Sequence, residues 1–222
     1  MNNKLSCENL LDLSKTIAKD LFIGLEYPWQ AIPKIKDFIL NLGPKLPKEE
    51  YEEISESVWI SKDAKISNTS SIIGPTIIGK GAEIRHCAFI RGSVIVGEDC
   101  VVGNSTELKN AVLFNNVQVP HFNYVGDSIL GYKAHLGAGS IISNVKSDKS
   151  NVKVNFNGSK IETNLRKFGA IIADNVEIGC NAVLNPGTII SRNSNIYPTS
   201  MVRGFIEENV IFKSQNNIVK KI

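Results

Sequence analysis

Arg91 and Lys109 each follow an aliphatic residue and lie 18 residues apart, and His121 comes twelve residues after Lys109. Two cations at one repeated position suit a phosphate, because like charges are seldom held together without an anion between them. Both side chains pointing into water is the competing reading. His121 is one of only three histidines, with His86 and His135. An imidazole titrating near pH 6.5 is the usual general base at neutral pH, although a loop histidine is more often structural or solvated. Glu107, two residues before Lys109, would be placed to orient that imidazole.

What must position these groups is a period of six. Reading every sixth residue gives Ile60, Ile66, Ile72, Ile78, Ile84, Ile90, Val96, Val102, Leu108 and Phe114. The period returns at Leu130, Leu136 and Ile142, and again from Ile172 through Ile178, Leu184, Ile190, Ile196 and Val202. Neither the helical repeat of 3.6 nor the strand repeat of 2.0 produces this. Short parallel strands joined at corners do, with one aliphatic residue pointing inward on each flat side. Three sides make a coil of 18 residues, so Arg91 and Lys109 fall on one corner, one coil apart, about 5 Å. Glycine often follows the repeat position (Gly79, Gly97, Gly103, Gly131, Gly137, Gly179), where it is expected to help the chain turn.

The period slips between Phe114 and Tyr124, the segment that holds His121, and breaks over 145–169, a lysine-rich stretch expected to form an inserted arm. Upstream, Leu10 to Phe22 and Ile32 to Leu42 have the spacing of two amphipathic helices, ending near Gly24 and at Gly43-Pro44. The expected organisation is a helical segment and linker over 1–57, capping the first coil, a β-helix over 58–212 and a tail over 213–222.

The 222 residues carry a net charge of +3, unevenly spread. Residues 1–57 hold 7 Lys/Arg against 10 Asp/Glu, and the remainder holds 18 against 12. A basic body suits small anionic ligands rather than nucleic acid. Cys7, Cys87, Cys100 and Cys180 show no CxxC spacing, which fits a reducing cytoplasm better than an oxidising compartment. No signal peptide is legible, and no apolar run approaches the roughly 18 residues of a membrane span. The expected partners therefore include neither nucleic acid nor membrane.

The segments Gly103-Asn104-Ser105-Thr106-Glu107-Leu108-Lys109, Pro120-His121-Phe122-Asn123-Tyr124-Val125-Gly126-Asp127 and Leu136-Gly137-Ala138-Gly139 carry a resemblance in order and spacing. Over roughly 58–210 the chain resembles the acetyltransferase domain of bifunctional N-acetylglucosamine-1-phosphate uridyltransferases. Tyr27-Pro28-Trp29 and the following helix are similar to the linker after the nucleotidyltransferase domain in archaeal-type members, a domain for which no upstream glycine-rich nucleotide loop is present. The resemblance implies a left-handed winding of the parallel β-helix, a homotrimer with sites between subunits, and a place in nucleotide-sugar biosynthesis. It implies acetyl-CoA as acyl donor, an amino-sugar 1-phosphate as acceptor, and direct transfer needing no metal. Arg91, Lys109 and Lys167 would hold the phosphate, Tyr124 and Asn144 the sugar, and His121 would take the amine proton. Ala138 N–H would face the acyl oxygen, Cys180 would line the CoA channel, and Lys213 would meet the CoA phosphates. His135 stands where the family has an asparagine touching the sugar, and the arm is longer than in the common bacterial enzymes. Both departures lie on the acceptor side.

Two other functions fit the same scaffold. One is a non-catalytic β-helix that binds a sugar nucleotide or serves a partner nucleotidyltransferase. The other is a zinc hydro-lyase of the carbonic-anhydrase type, which requires three ligating histidines. The 14-residue spacing from His121 to His135 does not match that family's short pairing.

Overall fold

A computed structural model describes residues 4–221. From Val58 onward the chain winds as a parallel β-helix whose rungs stack through three ladders. The first face is built from Val58–Ser61, Thr76–Ile78, Val94–Val96, the ends of Glu107–Leu113 and Tyr124–Leu130, then Ala170–Ile172, Thr188–Ile190 and Phe205–Ile206. The second face runs from Lys65–Ile66 through Val101–Asn104, Gln118–His121 and His135–Leu136 to Val210–Ser214. The third holds Ser71–Ile72, Phe89–Ile90, the starts of Glu107–Leu113 and Tyr124–Leu130, Ile141–Ile142, Val183–Leu184 and Met201–Val202. Eight rungs on the first face, at about 4.8 Å each, make a prism on the order of 35 Å tall. The inward residues are the aliphatic series read from the sequence: Ile78, Ile90, Val102, Leu108, Leu136 and Ile142 are all at most 1% exposed. Truncating one, as in Ile90→Ala, would cost about 2–5 kcal/mol.

Every departure from the period falls on one edge. From the first face to the second, and from the second to the third, each inward residue is six positions from the last, as in Leu113, Val119 and Val125. At the third edge, where the third face returns to the first, the step is five from Leu108 to Leu113 and five from Val125 to Leu130. It is thirty from Ile142 to Ile172 and four from Val202 to Ile206. The expected slip between Phe114 and Tyr124 is thus corrected to two short corners on either side of it. Leu113, not Phe114, pairs with Val96, and Gln118–His121 lies in regular register with the rung below. The short corners let Glu107–Leu113 and Tyr124–Leu130 bend across the edge as single strands, which fuses the first and third faces into one 14-stranded sheet.

Corner residues adopt the left-handed conformation rung after rung, and most are not glycine. Cys87, Ser105, Phe122, Gly139, Asn181 and Thr199 form such a column at the second edge, with φ between 51° and 72°. Gly103 instead solves a space problem. A Cβ there would meet Pro120 O at 1.5 Å, so the stacked rungs approach only if that residue has no side chain. The glycines after the repeat position serve close stacking rather than turning.

The N-terminal segment is less helical than its periodicity suggests, and it lies elsewhere. Helix α1 spans only Cys7–Leu10, single 3-10 turns cover Leu13–Lys15 and Lys19–Phe22, and helix α2 spans Ile35–Leu42. Instead of capping the first coil, the segment runs down the first edge and first face as a strap. Lys4 pairs with Glu207 at 2.8 Å, and Glu8 O accepts from Arg192. Leu10 O accepts from the Asp174 N–H, and Lys15 O from the Asn115 N–H. Trp29 packs on Phe168, with ring centroids 6.1 Å apart, and Phe22 on Phe114 at 5.8 Å. A Cβ on Gly43 would strike the Trp59 ring at 2.2 Å, which is how closely the strap's end meets the first rung. The strand Tyr51–Ser55 then pairs antiparallel with Val58–Ser61.

Candidate active site on two edges

Register alone places Arg91 and Lys109 one rung apart on the third edge, since Ile90 pairs with Leu108 and the Arg91 N–H donates to Leu108 O. The stack exists as expected, yet its charge is already met by carboxylates. Arg91 Nη1 donates to Glu107 Oε1 at 2.6 Å, a pair that raises the guanidinium's proton affinity, chiefly through that hydrogen bond. Lys109 Nζ lies 3.4 Å from both oxygens of Asp127. Within one chain the Glu107 carboxylate thus faces Arg91 rather than His121.

Asp127 is the hub of this edge, and sequence reasoning passed over it. Its side chain is 3% exposed as a residue and accepts from Lys109, from Asn110 Nδ2 at 2.8 Å and from Asn144 Nδ2. The signal was available: Lys109 pairs with Gly126 and Ala111 with Ser128, so Asn110 and Asp127 are stacked equivalents, both at left-handed φ (48° and 49°). Asn and Asp tolerate that conformation better than most residues. Asn144 Nδ2 also donates to the Tyr124 hydroxyl at 3.3 Å. Burial holds the Tyr124 phenol above its ordinary range, outweighing that hydrogen bond. Tyr124 pairs in register with Glu107 and Ile141, which completes a cluster of Arg91, Glu107, Lys109, Asp127, Tyr124 and Asn144. Lys167 joins by its backbone position, exposed beside Phe168, whose N–H donates to Asn144 O.

The remaining predicted residues, His135 apart, sit on the second edge. His121 ends Gln118–His121 there, exposed, with its N–H bonded to Asn123 Oδ1 at 3.1 Å and its carbonyl accepting from the Gly139 N–H. Ala138 is next to Gly139, and its carbonyl accepts from Asn181, the neighbour of Cys180. The Cys180 carbonyl accepts from Thr199, and Lys213 O accepts from Ser200 Oγ. Exposed Lys213 places its ammonium 5.4 Å over the Tyr197 ring. His121, Ala138, Cys180 and Lys213 thus form one continuous column along the prism. His135 lies on the second face, its Nδ1 2.7 Å from Glu177 Oε2.

Within one chain the imidazole and the cation pair do not share a ledge, contrary to the expectation from the repeat. Four residues, Phe122 to Val125, lie between His121 and Gly126, the partner of Lys109, a step on the order of 15 Å of extended chain. The face between them presents Phe89, Val183 and Met201 outward, 37%, 38% and 58% exposed. Among the described residues, no three His, Cys, Asp or Glu side chains converge as a metal site, and no helix is long and apolar enough to cross a membrane.

The family described as the GMPPB C-terminal domain matches residues 72–157. The chain is 36% identical over 221 residues to the bifunctional protein GlmU of Methanococcus vannielii, covering 94% of this chain and 53% of that protein. It is 36% identical over 176 residues to a bifunctional sugar-1-phosphate nucleotidylyltransferase/acetyltransferase of Sulfurisphaera tokodaii, covering 79% of this chain and 43% of that one. The chain spans about half the length of these relatives. A solved polySia-specific acetyltransferase, NeuO, overlaps 74% of this chain and 76% of its own at 12% identity and a TM-score of 0.47, too loose an overlap to carry an argument. The resemblance read from residues 103–139 extends along nearly the whole chain: it resembles the hexapeptide-repeat half of the bifunctional GlmU proteins.

Proposed function

We propose that the chain is an acetyl-CoA-dependent N-acetyltransferase acting on an amino-sugar 1-phosphate, with each site assembled from the third edge of one copy and the second edge of another. The observation that carries this reading is the cluster on the third edge, where two cations are framed by two carboxylates, an amide and a phenol. Such a receptor offers cations to a phosphate and acceptors to hydroxyls and an amine. Similarity over 94% of the chain to a bifunctional GlmU protein supports the reaction class. The apolar outward side chains of the third face, on which the strap does not lie, support packing of copies around that face. A homotrimer closes such a heterologous contact into a ring.

Arg91 and Lys109 bind the phosphate, exchanging part of their contact with Glu107 and Asp127 for it, and Lys167 adds a third cation. Tyr124 and Asn144 orient the sugar. On the opposing edge the thioester lies along Ala138 and Cys180, its phosphates toward Lys213, with the Ala138 N–H directed at the carbonyl oxygen. The acceptor nitrogen attacks the thioester carbon, the C–N bond forms as the C–S bond breaks, and His121 passes the amine proton toward the departing CoA sulfur. No covalent enzyme intermediate is involved.

The test is release of free CoA thiol against a panel of 1-phosphorylated amino sugars. Thiol release that depends on one of these acceptors supports the reading. Tight binding of an acceptor with neither binding nor turnover of acetyl-CoA would replace it with the non-catalytic, regulatory one, in which a partner nucleotidyltransferase would be sought.

A further inference from the structure

The arm is not a loose lid. Its hairpin, Lys153–Phe156 paired with Ser159–Glu162, folds down over the third edge beyond the acceptor cluster. Val152 and Val154 are fully buried, and Phe156 meets Phe205 edge-on at 5.0 Å. Gly187, with φ 79°, lies so close that a Cβ would sit 2.8 Å from Val152. Between hairpin and edge lies a cavity of about 510 Å³, lined among others by Ser143, Lys146, Lys153, Lys160, Asn185 and Arg203. Its volume is in the range of ordinary small-ligand sites.

The cations of this cavity differ from those of the acceptor cluster. Lys146 pairs with Asp148, and Lys153 with Glu162. Lys160 and Arg203 have no ion-pair partner among the described residues. An anion at Arg91 and Lys109 must compete with two carboxylates, whereas the Asp148 carboxylate that lines this cavity is paired with Lys146, and Lys160 and Arg203 have no such partner among the described residues. Ser143 and Asn185 add neutral donors, and Ser143 is the chain neighbour of Asn144, so the cavity continues the acceptor cluster along the edge.

We propose that the cavity beneath the arm is a subsite for an organic diphosphate or phosphate, with Lys160 and Arg203 as its binding cations. Which substrate brings that group rests on the acyltransferase reading; the affinity for the anion does not. Two sources share the chemistry: the diphosphate of a nucleotide-linked amino sugar, and the phosphates of CoA held by a neighbouring copy.

Calorimetric titration with inorganic pyrophosphate, uridine diphosphate, CoA and dephospho-CoA tests this on the full chain and on Lys160→Gln/Arg203→Gln. Both side chains are exposed, and far-ultraviolet dichroism would verify that the fold is kept. Pyrophosphate affinity should fall at least tenfold in the double variant. A parallel loss for uridine diphosphate with CoA unchanged assigns the subsite to the acceptor, and a loss for CoA exceeding that for dephospho-CoA assigns it to the donor's 3′-phosphate. Equal affinity of wild type and variant for all four probes, or no binding of any probe to the wild type, overturns the proposal. Intact pyrophosphate binding without any thiol release would instead sink the acyltransferase reading and leave the subsite standing.

Discussion

Lys109 Nζ faces both oxygens of Asp127 at 3.4 Å across one rung of the third edge, where Asn110 and Asn144 hold the same carboxylate from either side. This pair is largely buried, unlike the Arg91–Glu107 pair one rung below, whose side chains are 43% and 32% exposed. The two cations should therefore respond differently to truncation. Lys109→Ala leaves the Asp127 carboxylate with amide donors only and should cost about 1–3 kcal/mol of stability, whereas Arg91→Ala should leave the melting temperature unchanged. Both should raise the acceptor KM roughly tenfold or more, since a charge-assisted hydrogen bond contributes about 1.5–3 kcal/mol. Urea titration and steady-state kinetics on the two variants check this, and equal stabilities would contradict the assigned burial of the Lys109 contact.

His121 stands exposed at the second edge, with no hydrogen bond from its ring among the described residues. His121→Ala should lower kcat by about 10²–10⁴ while leaving the melting temperature in place. Full turnover in that variant removes the imidazole from the mechanism.

The strap reaches the acceptor cluster through Trp29, which is 1% exposed and packed on Phe168. Phe168 in turn donates its N–H to Asn144 O. Trp29→Ala should destabilise the fold by about 3–5 kcal/mol and, at temperatures where the variant is folded, should weaken acceptor binding more than CoA binding. A variant with unaltered acceptor KM would show that the strap serves stability alone.

The arm begins at a loop that acid should open. Asp148 accepts from the Ser150 N–H at 3.0 Å and from Lys146 at 3.1 Å. These contacts, the Ser150 backbone bond foremost, bring its carboxyl down from 3.8 to about 2. A depressed folded-state pKa means that the contact's stability is fully present above the unfolded value and is lost as pH falls from 3.8 toward about 2. Amide exchange at Ser150 should accelerate over that window in the wild type and show no such step in Asp148→Asn. A carboxyl resonance titrating at the ordinary value would refute the loop contact.

The sequence shows the prism plainly because one inward aliphatic residue per side is a physical requirement repeated some twenty times. It shows the Arg91–Lys109 stack for the same reason, as a consequence of register. The corner shortening was legible only as a slip, since Phe114 is itself buried and imitates the repeat position that Leu113 occupies. Asp127 escaped because its role depends on a carboxylate turned inward at a left-handed corner, which composition does not reveal. Periodicity does not distinguish a cap from a strap, because it reports which face of a helix is apolar, not what covers it. The placement of His121 and Lys109 on different edges follows from the register, since Lys109 pairs with Gly126, five positions beyond His121.

That separation makes the central claim testable by complementation. His121→Ala, expected to be nearly inactive, and Lys109→Ala, expected to be at least tenfold less active at acceptor concentrations below its KM, would be co-expressed with different tags, and the mixed assemblies purified through both and assayed under those conditions. If each site takes its imidazole from one copy and its cation from the next, every mixed trimer holds one intact site in three. Activity should return to roughly a third of wild type per mixed trimer. Mixed assemblies as inactive as their parents would contradict a site shared between the two edges.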